Sequence, residues 1–268
     1  MTLLIEQLLR VLDDFAPFAL AADWDNVGLQ IGNRATRVSG ICVALDPSLA
    51  VLAEAVEHDC NTIITHHPLL FHPLSQIDTA TPGGAMVQKA LAADLQIIAC
   101  HTNLDVVPGG VSDVLARELG LTACRPLQPH RDDSLCGFGR LGQLSPPLAG
   151  QDFLARVAKL LAQPEMTVAG PVPDRLERVA VCGGSCGELA ELAWQEGAQL
   201  MVTAEVKHSQ ARWAEEAGIC LVDCGHFATE QPIVAPLVAR LQALYGRDMP
   251  VRGVAGQAKP LRGWSAGT

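Results

Sequence analysis

Three short stretches gather the residue types that bind metal ions. "IITHHPLL" (Ile63 to Leu70) sets His66 and His67 side by side, directly after a β-branched run. "HTNLD" carries His101 and, four residues on, Asp105. "HFATE" carries His226 and Glu230 at the same spacing. If each of these two stretches begins a helix, residues four apart share a face and point at one object. Imidazole combined with carboxylate suits zinc, manganese, iron or nickel, with no need for thiolate. Neighbours on an extended strand face opposite ways, so His66 and His67 are poorly placed to chelate one ion. At a strand end that turns, they can serve two ions lying side by side, with a carboxylate such as Glu230 bridging. Each motif alone has an ordinary explanation. A His-His pair is commonly a solvated loop feature, and His-x-x-x-carboxylate occurs in many first helical turns. The metal reading comes from their agreement in position. His58, His72 and His130 have no partner pattern and read as surface histidines.

Short β-branched runs alternating with helical patterns must position these residues. "ICVAL" (41–45), "TIIT" (62–65) and "QIIAC" (96–100) read as strands. "SLAVLAEAVEH" reads as a helix capped by Ser48, and "GVSDVLARELG" as one capped by Ser112 and stopped by Gly120. In the second half "VAVCG" (179–183), "LMVT" (200–203) and "ICLVD" (219–223) are strands. "CGELAELAWQEG" is a helix stopped by Gly197, and "TEQPIVAPLVARLQALYG" is a closing helix with Ile233, Leu237, Leu241 and Leu244 in register. Alternation of this kind predicts an α/β fold with mostly parallel pairing. Equivalent strands recur at an offset of 138 residues (179 − 41 and 203 − 65). The expectation is two similar α/β halves related by pseudo-duplication, residues 1–120 and 174–268. Residues 121–173, rich in Pro and Gly, read as a connector with a little structure of its own, and the whole as one unit. Ligands of open α/β sheets bind at the carboxyl ends of strands, where the histidines fall.

Composition narrows the function. The 268 residues are 49% hydrophobic with a formal charge of −10, a mean hydropathy of +0.22 and a pI near 5.2. Such acidity gives no general attraction to nucleic acid or anionic membranes. No apolar run is long enough to cross a bilayer, and Glu6, Arg10, Asp13 and Asp14 break up any signal-like N-terminal segment. Nine cysteines, several in strand-like runs, suit a reduced, cytoplasmic protein.

"DWDNVGLQIG", "THHPLLF", "HTNLDVVPGGVSDVLA", "VAVCGGS" and "DCGHFATE", in this order from about Trp24 to Glu230, resemble the family of GTP cyclohydrolase I type 2 homologues, also called Nif-three-like proteins. The resemblance covers most of the chain. It implies a dinuclear metal site between two similar α/β halves and subunits assembled as a toroidal hexamer. It implies that His66, His67, Asp105, His226 and Glu230 are the ligands, with Glu230 as the bridge. His101 matches a histidine near the metals, suited to orienting a ligand or moving a proton, and His208 matches one found in many members. Glu205 is implied to lie close by, in a place where many relatives carry Gly rather than Ala204 before the acid. In "WDNVG", a turn stabilised by Asp25 or Asn26, with Gly28 at an unusual φ, is favoured over a direct site role. "CGGSCG" reads as a tight strand-to-helix turn in preference to a phosphate cradle.

Two ions held by His and carboxylate polarise an electrophile and generate hydroxide near neutral pH. The sequence therefore predicts a metal-dependent hydrolase acting on a nucleotide or related phosphorylated compound, with His101 and His208 as acid/base candidates. Nothing in these residues shows that GTP fits. The alternative is a non-enzymatic metal-binding ring that acts by binding protein partners or DNA.

Overall fold

The strands predicted from β-branched runs are buried on both faces, which is why they read as continuous apolar runs. In the computed structural model, which describes residues 3–131, 133–262 and 264, the first half contributes helix α1 (Ile5–Phe15), strands β1 (Gly28–Ile31) and β2 (Ile41–Ala44), α2 (Leu49–Glu57), β3 (Thr62–Thr65), α3 (Pro82–Ala92), β4 (Gln96–Ala99), α4 (Thr102–Val106) and α5 (Val111–Glu118). Then come β5 (Thr122–Pro129), β6 (Gly137–Leu148), α6 (Gly150–Leu160), β7 (Thr167–Ala169), β8 (Leu176–Val181), α7 (Ala190–Gln195), β9 (Leu200–Thr203), α8 (His208–Ala217), β10 (Cys220–Asp223), α9 (His226–Glu230), α10 (Val234–Tyr245) and β11 (Val251–Gly253).

Two sheets result, in the orders β1-β4-β3-β2-β11 and β5-β6-β8-β9-β10-β7. β2, β3 and β4 are parallel, and so are β8, β9 and β10. Side chains alternate between two cores. Val43, Ile64 and Ile98 pack against α1 and α10, whereas Cys42, Ile63 and Ile97 pack against α2 and α3. In the second sheet Val181, Val202 and Val222 meet Phe153 and Val157 of α6, and Ala180, Met201 and Leu221 meet Ala190 and Ala193 of α7.

The repeat is longer than the strand offset suggests. β1 lies antiparallel on β4, and β7 lies antiparallel on β10. α1 precedes β1 as α6 precedes β7. The segment 121–173, read as a connector, therefore supplies the opening helix and edge strand of the second repeat. The β5–β6 hairpin, paired to β8 through β6, is the addition. The C-terminal part also returns to the first sheet, where β11 pairs with β2 and Leu237 and Leu241 of α10 enter the core beneath β2.

Several local expectations change. Ser48 caps α2 through Val51 N. Ser112 does not cap α5. It is buried inside the helix, which follows Gly110. The closing helix is interrupted after Glu230 by a 3-10 turn, Gln231–Ile233, containing Pro232. Proline has no N–H to donate back to the preceding turn, so α9 ends at Glu230 and α10 begins at Val234. Leu244 is exposed rather than part of the apolar face. Arg140 of β6 is fully buried. Its guanidinium donates to both Asp113 oxygens (2.6 and 3.0 Å) and to the carbonyls of Gly137, Gly139 and Val107. Charge pairing and satisfied donors make that burial tolerable, and they fasten the hairpin to the end of α4.

Candidate metal centre

The carboxyl ends of the two parallel strand sets face each other, and the predicted ligands project from both. β3 delivers the histidine pair. Its pairing with β2 continues past the strand, with His66 N and His67 N donating to Ala44 O and Leu45 O. Thr65 Oγ1 turns back to His67 O at 2.7 Å. The turned strand end brings both rings towards one place, with centroids 5.0 Å apart.

The two His-x-x-x-carboxylate motifs are out of step by one residue. Cys100 N donates to Thr65 O and Cys224 N to Thr203 O, so these cysteines are equivalent. His101 follows Cys100 directly, whereas Gly225 intervenes before His226. His226 is thus the first residue of α9 and shares a face with Glu230, with Nε2 3.0 Å from Oε2. His101 sits one residue ahead of α4, at its N-cap. Its side chain turns to Asp25, Nδ1 to Oδ1 at 2.8 Å.

Each of the four histidines has its Nδ1 against an acceptor. His66 Nδ1 lies 3.0 Å from Cys100 O, and His67 Nδ1 2.7 Å from Asp46 Oδ1. His101 meets Asp25, and His226 Nδ1 lies 3.0 Å from Glu205 Oε1. A proton held on Nδ1 leaves the Nε2 lone pair as the ligating atom, the arrangement typical of metal-binding histidines. His66, His67 and His101 offer ring nitrogens within 4.8 Å of one another, and His67, His226 and Glu230 offer two ring nitrogens and a carboxylate oxygen within the same distance as a second group.

Glu230 stands between these groups. Its Oε1 lies 3.8 Å from His66 Nε2, and its Oε2 lies 3.0 Å from Nε2 of both His67 and His226. Asp105 Oδ1 is 3.6 Å from His66 Nε2. His66 Nε2 and Asp105 Oδ1 are buried with no hydrogen-bond partner, and Glu230 Oε2 is buried against the two imidazole nitrogens. Orphaned buried atoms are costly, and here Asp105 Oδ1 and Glu230 Oε1 both lie within 4 Å of His66 Nε2. These donors fit a cation.

The titration behaviour follows from the same crowding. Burial opposes the charge on His67, but the Asp46 and Glu230 carboxylates outweigh it and lift the imidazole to about 10. His226 is raised chiefly by Glu230. Burial opposes ionisation of Glu230, yet His226, His66 and His67 hold it well below the usual range. Asp105 is pushed up by burial, with repulsion from Glu230 adding to it. Burial works against the Asp25 charge, but His101 and Thr102 overcome it and bring the carboxyl down to about 2.

Glycine makes room for Glu230. A Cβ on Gly184 would collide with Glu230 Oε1, and one on Gly183 would crowd Val111 and Thr229. Gly184 also has φ +71. The "CGGSCG" stretch is thus a tight turn packed beneath the site, held by Gly184 N to Thr229 Oγ1 at 3.0 Å.

The structure brings His66, His67, His101, Asp105, His226 and Glu230 together. His208 stands exposed at the start of α8, outside both metal-competent groups. Glu205 is at the site, and its φ of +54 shows that the left-handed residue of this turn is the acid itself, so the buried Ala204 serves without being Gly. Asp25 does accept from its neighbour Asn26 N, as a turn residue would, and Gly28 has φ +90. Beyond the turn, its carboxylate orients His101 and binds Thr102 N and Oγ1. Asp46 was not anticipated. The one signal was an acid just past the carboxyl end of a strand, at the edge where ligands gather.

A cavity of about 580 Å³ opens beside His67 and His226. Its walls include Asp46 and Glu205 on the metal-facing side, Phe227, and Lys259 and Arg262 from the C-terminal segment. Gln257 ties that segment down by accepting from Leu45 N and donating to Asp46 O.

Fold and site together define a two-sheet α/β protein with a buried His/carboxylate cluster able to hold metal. The chain belongs to the Duf34/NIF3 (NGG1p interacting factor 3) family, whose pattern it matches over residues 3–259. It is 32% identical over 243 residues to a GTP cyclohydrolase 1 type 2 homolog of Clostridium acetobutylicum, covering 90% of this chain and 91% of that one. A Nostoc protein of the same description is 35% identical over 207 residues, 76% and 78% of the two chains. Among solved structures, Staphylococcus aureus protein SA1388 superposes with a TM-score of 0.91 at 27% identity, covering 98% of this chain and 99% of that one. No described helix is long and apolar enough to cross a membrane.

Proposed function

We propose that this chain is a dinuclear metal-dependent hydrolase acting on a nucleotide or related phosphorylated compound. One observation carries the reading: Glu230 presents one oxygen to His66 and the other to His67 and His226, and those last two histidines line a cavity with Lys259 and Arg262 in its wall. His66, Asp105 and Glu230 Oε1 would hold one ion, with His101 in reach. His67, His226 and Glu230 Oε2 would hold the other. Zinc, manganese, iron and nickel all suit this donor set. When bound, such ions supply Lewis acidity towards a phosphoryl or carbonyl oxygen and make water nucleophilic near neutral pH.

The chain's own groups do the rest. Asp46, Asp25 and Glu205 keep the histidine Nε2 atoms aimed inward. Lys259 and Arg262 give the cavity cationic groups for an anionic substrate. His101, whose Nδ1 is held by Asp25, is the acid/base candidate closest to the ligands. His208 would need a neighbouring subunit or a moved helix to take part.

The comparisons describe relatives as GTP cyclohydrolase homologs, which supports a nucleotide-sized substrate without fixing GTP. A closed ring of six chains is the assembly we infer. The apolar groove along Leu160, Leu161, Ala235, Pro236 and Ala239 supports association, and closed symmetry is the usual outcome of it. Nine free cysteines among the described residues suit a reducing, cytoplasmic setting.

Elemental analysis of the purified protein with a hydrolysis screen over nucleotides tests the reading. Two divalent ions per chain with metal-dependent turnover are expected. Bound metal with no turnover of any nucleotide would favour the non-enzymatic metal-binding ring. A monomer by light scattering at micromolar concentration would remove the ring.

A further inference from the structure

We infer that Trp24 and Phe71 form an aromatic platform at the mouth of the metal centre, which stacks the planar ring of a purine-like ligand. Both side chains are large, apolar and exposed, Trp24 at 61% and Phe71 at 40%. They meet each other with ring centroids 5.7 Å apart, and each flanks His101, at 6.0 and 6.3 Å. Exposed aromatics gathered in one place mark a binding surface far more often than isolated ones do.

The platform is built. Trp24 and Phe71 belong to different loops, and polar groups lock the loops together. Asn26 Nδ2 donates to Leu70 O at 2.5 Å, Leu70 N donates to Gln30 Oε1 at 2.8 Å, and Gln30 Nε2 returns to Asn26 O at 2.7 Å. Asp25, next to Trp24, is fixed by His101 and Thr102. The loops that carry the two rings are therefore pre-positioned, which spares a ligand the cost of ordering them. This also accounts for "WDN", whose Trp has no place in the core.

Position names the ligand class. The aromatic pair adjoins His101, and His101 adjoins His67 at 5.5 Å. His67 in turn adjoins His226 at 5.1 Å. The cavity with Lys259 and Arg262 begins at His67 and His226 and does not include His101. A ligand with a flat ring at one end and an anionic group at the other would lie across the histidine row. A nucleotide has that layout. The inference takes from the hydrolase reading only the placing of a reacting bond at the row; the stacking itself does not depend on turnover.

The test is calorimetric binding of adenosine 5′-monophosphate and ribose 5-phosphate to the metal-replete protein, parent and variants. Base–aromatic stacking predicts that the parent binds the nucleotide about tenfold or more tighter than the sugar phosphate. Trp24→Ala and Phe71→Ala should each erase most of that preference while leaving the ribose 5-phosphate affinity unchanged. Trp24→Phe should retain it. Equal binding of both probes by the parent, binding of neither, or an undiminished preference in Trp24→Ala would overturn the platform. So would a change in assembly size of Trp24→Ala by light scattering, which would assign the patch to a subunit contact. Absence of nucleotide turnover alongside a preference lost in Trp24→Ala would overturn the hydrolase reading and support the platform.

Discussion

His67 and His226, 159 residues apart, face each other Nε2 to Nε2 at 3.2 Å, with Glu230 Oε2 3.0 Å from both nitrogens. One histidine comes from the first repeat and the other from the second. The group His67, His226 and Glu230 draws on both repeats, whereas His66, His67 and His101 all come from the first, so the first of these groups exists only where the repeats meet. Two imidazole nitrogens and a carboxylate oxygen this close need a positive charge among them, supplied by protons or by metal.

Glu230→Gln tests the bridge. The amide keeps the shape but loses the charge that lets two cations sit roughly 3.5–4 Å apart. Elemental analysis should show occupancy falling towards one ion per chain. Two ions per chain held as tightly as in the parent would refute bridging.

Protons and metal should compete. In the metal-free protein His67, lifted to about 10, carries a proton at pH 7, and an ion arriving at Nε2 must displace it. Titration calorimetry in two buffers of different ionisation enthalpy should show proton release on metal binding, and affinity should rise with pH. The same shift has a stability sign. Without metal, the contribution of His67 is fully present below about 6.5, its ordinary value, and is lost as pH climbs through about 10. Chelator-treated protein should therefore lose thermal stability over that window, and metal-loaded protein should lose less.

Asp46 and Asp25 act through histidines. Asp46→Asn and Asp25→Asn should each lower metal affinity about 10- to 100-fold while circular dichroism stays unchanged. With two ions bound as proposed, Asp46→Asn should weaken the one that His67 and His226 would hold, and Asp25→Asn the one near His101. Unaltered affinity in both variants would show that Nδ1 orientation is immaterial here.

The strands and the histidines and carboxylates that cluster at the candidate site were legible because each rests on short-range signals. β-branched runs buried on both faces look alike wherever they occur, and histidines at strand ends stand out. The connector was misleading because α6 and β7 lie in a Pro- and Gly-rich stretch, and β7 is a three-residue, half-exposed edge strand with no apolar run to announce it. Asp46 was hidden for a different reason. Its role depends on a ring 21 residues away turning towards it, and nothing in its own neighbourhood records that. The one-residue slip between the two histidine motifs was likewise invisible. Identical spacing suggested equivalence, and only the backbone hydrogen bonds of Cys100 and Cys224 reveal Gly225 as the extra residue.

Gly184→Ala separates a packing role from a phosphate-binding one in the glycine-rich turn. A methyl there would meet Glu230 Oε1, and φ +71 is strained for any L side chain. Strain in such a position costs of order 1–3 kcal/mol, and the displaced carboxylate should take metal affinity down with it. Gly109→Ala is the control, since it shares a positive φ of +76 but a Cβ there meets nothing within 4 Å. Both variants should lose thermal stability, and only Gly184→Ala should lose metal. Equal metal loss in the two would mean that backbone strain alone weakens the site. Full metal in Gly184→Ala would mean that Glu230 does not need the space this glycine leaves.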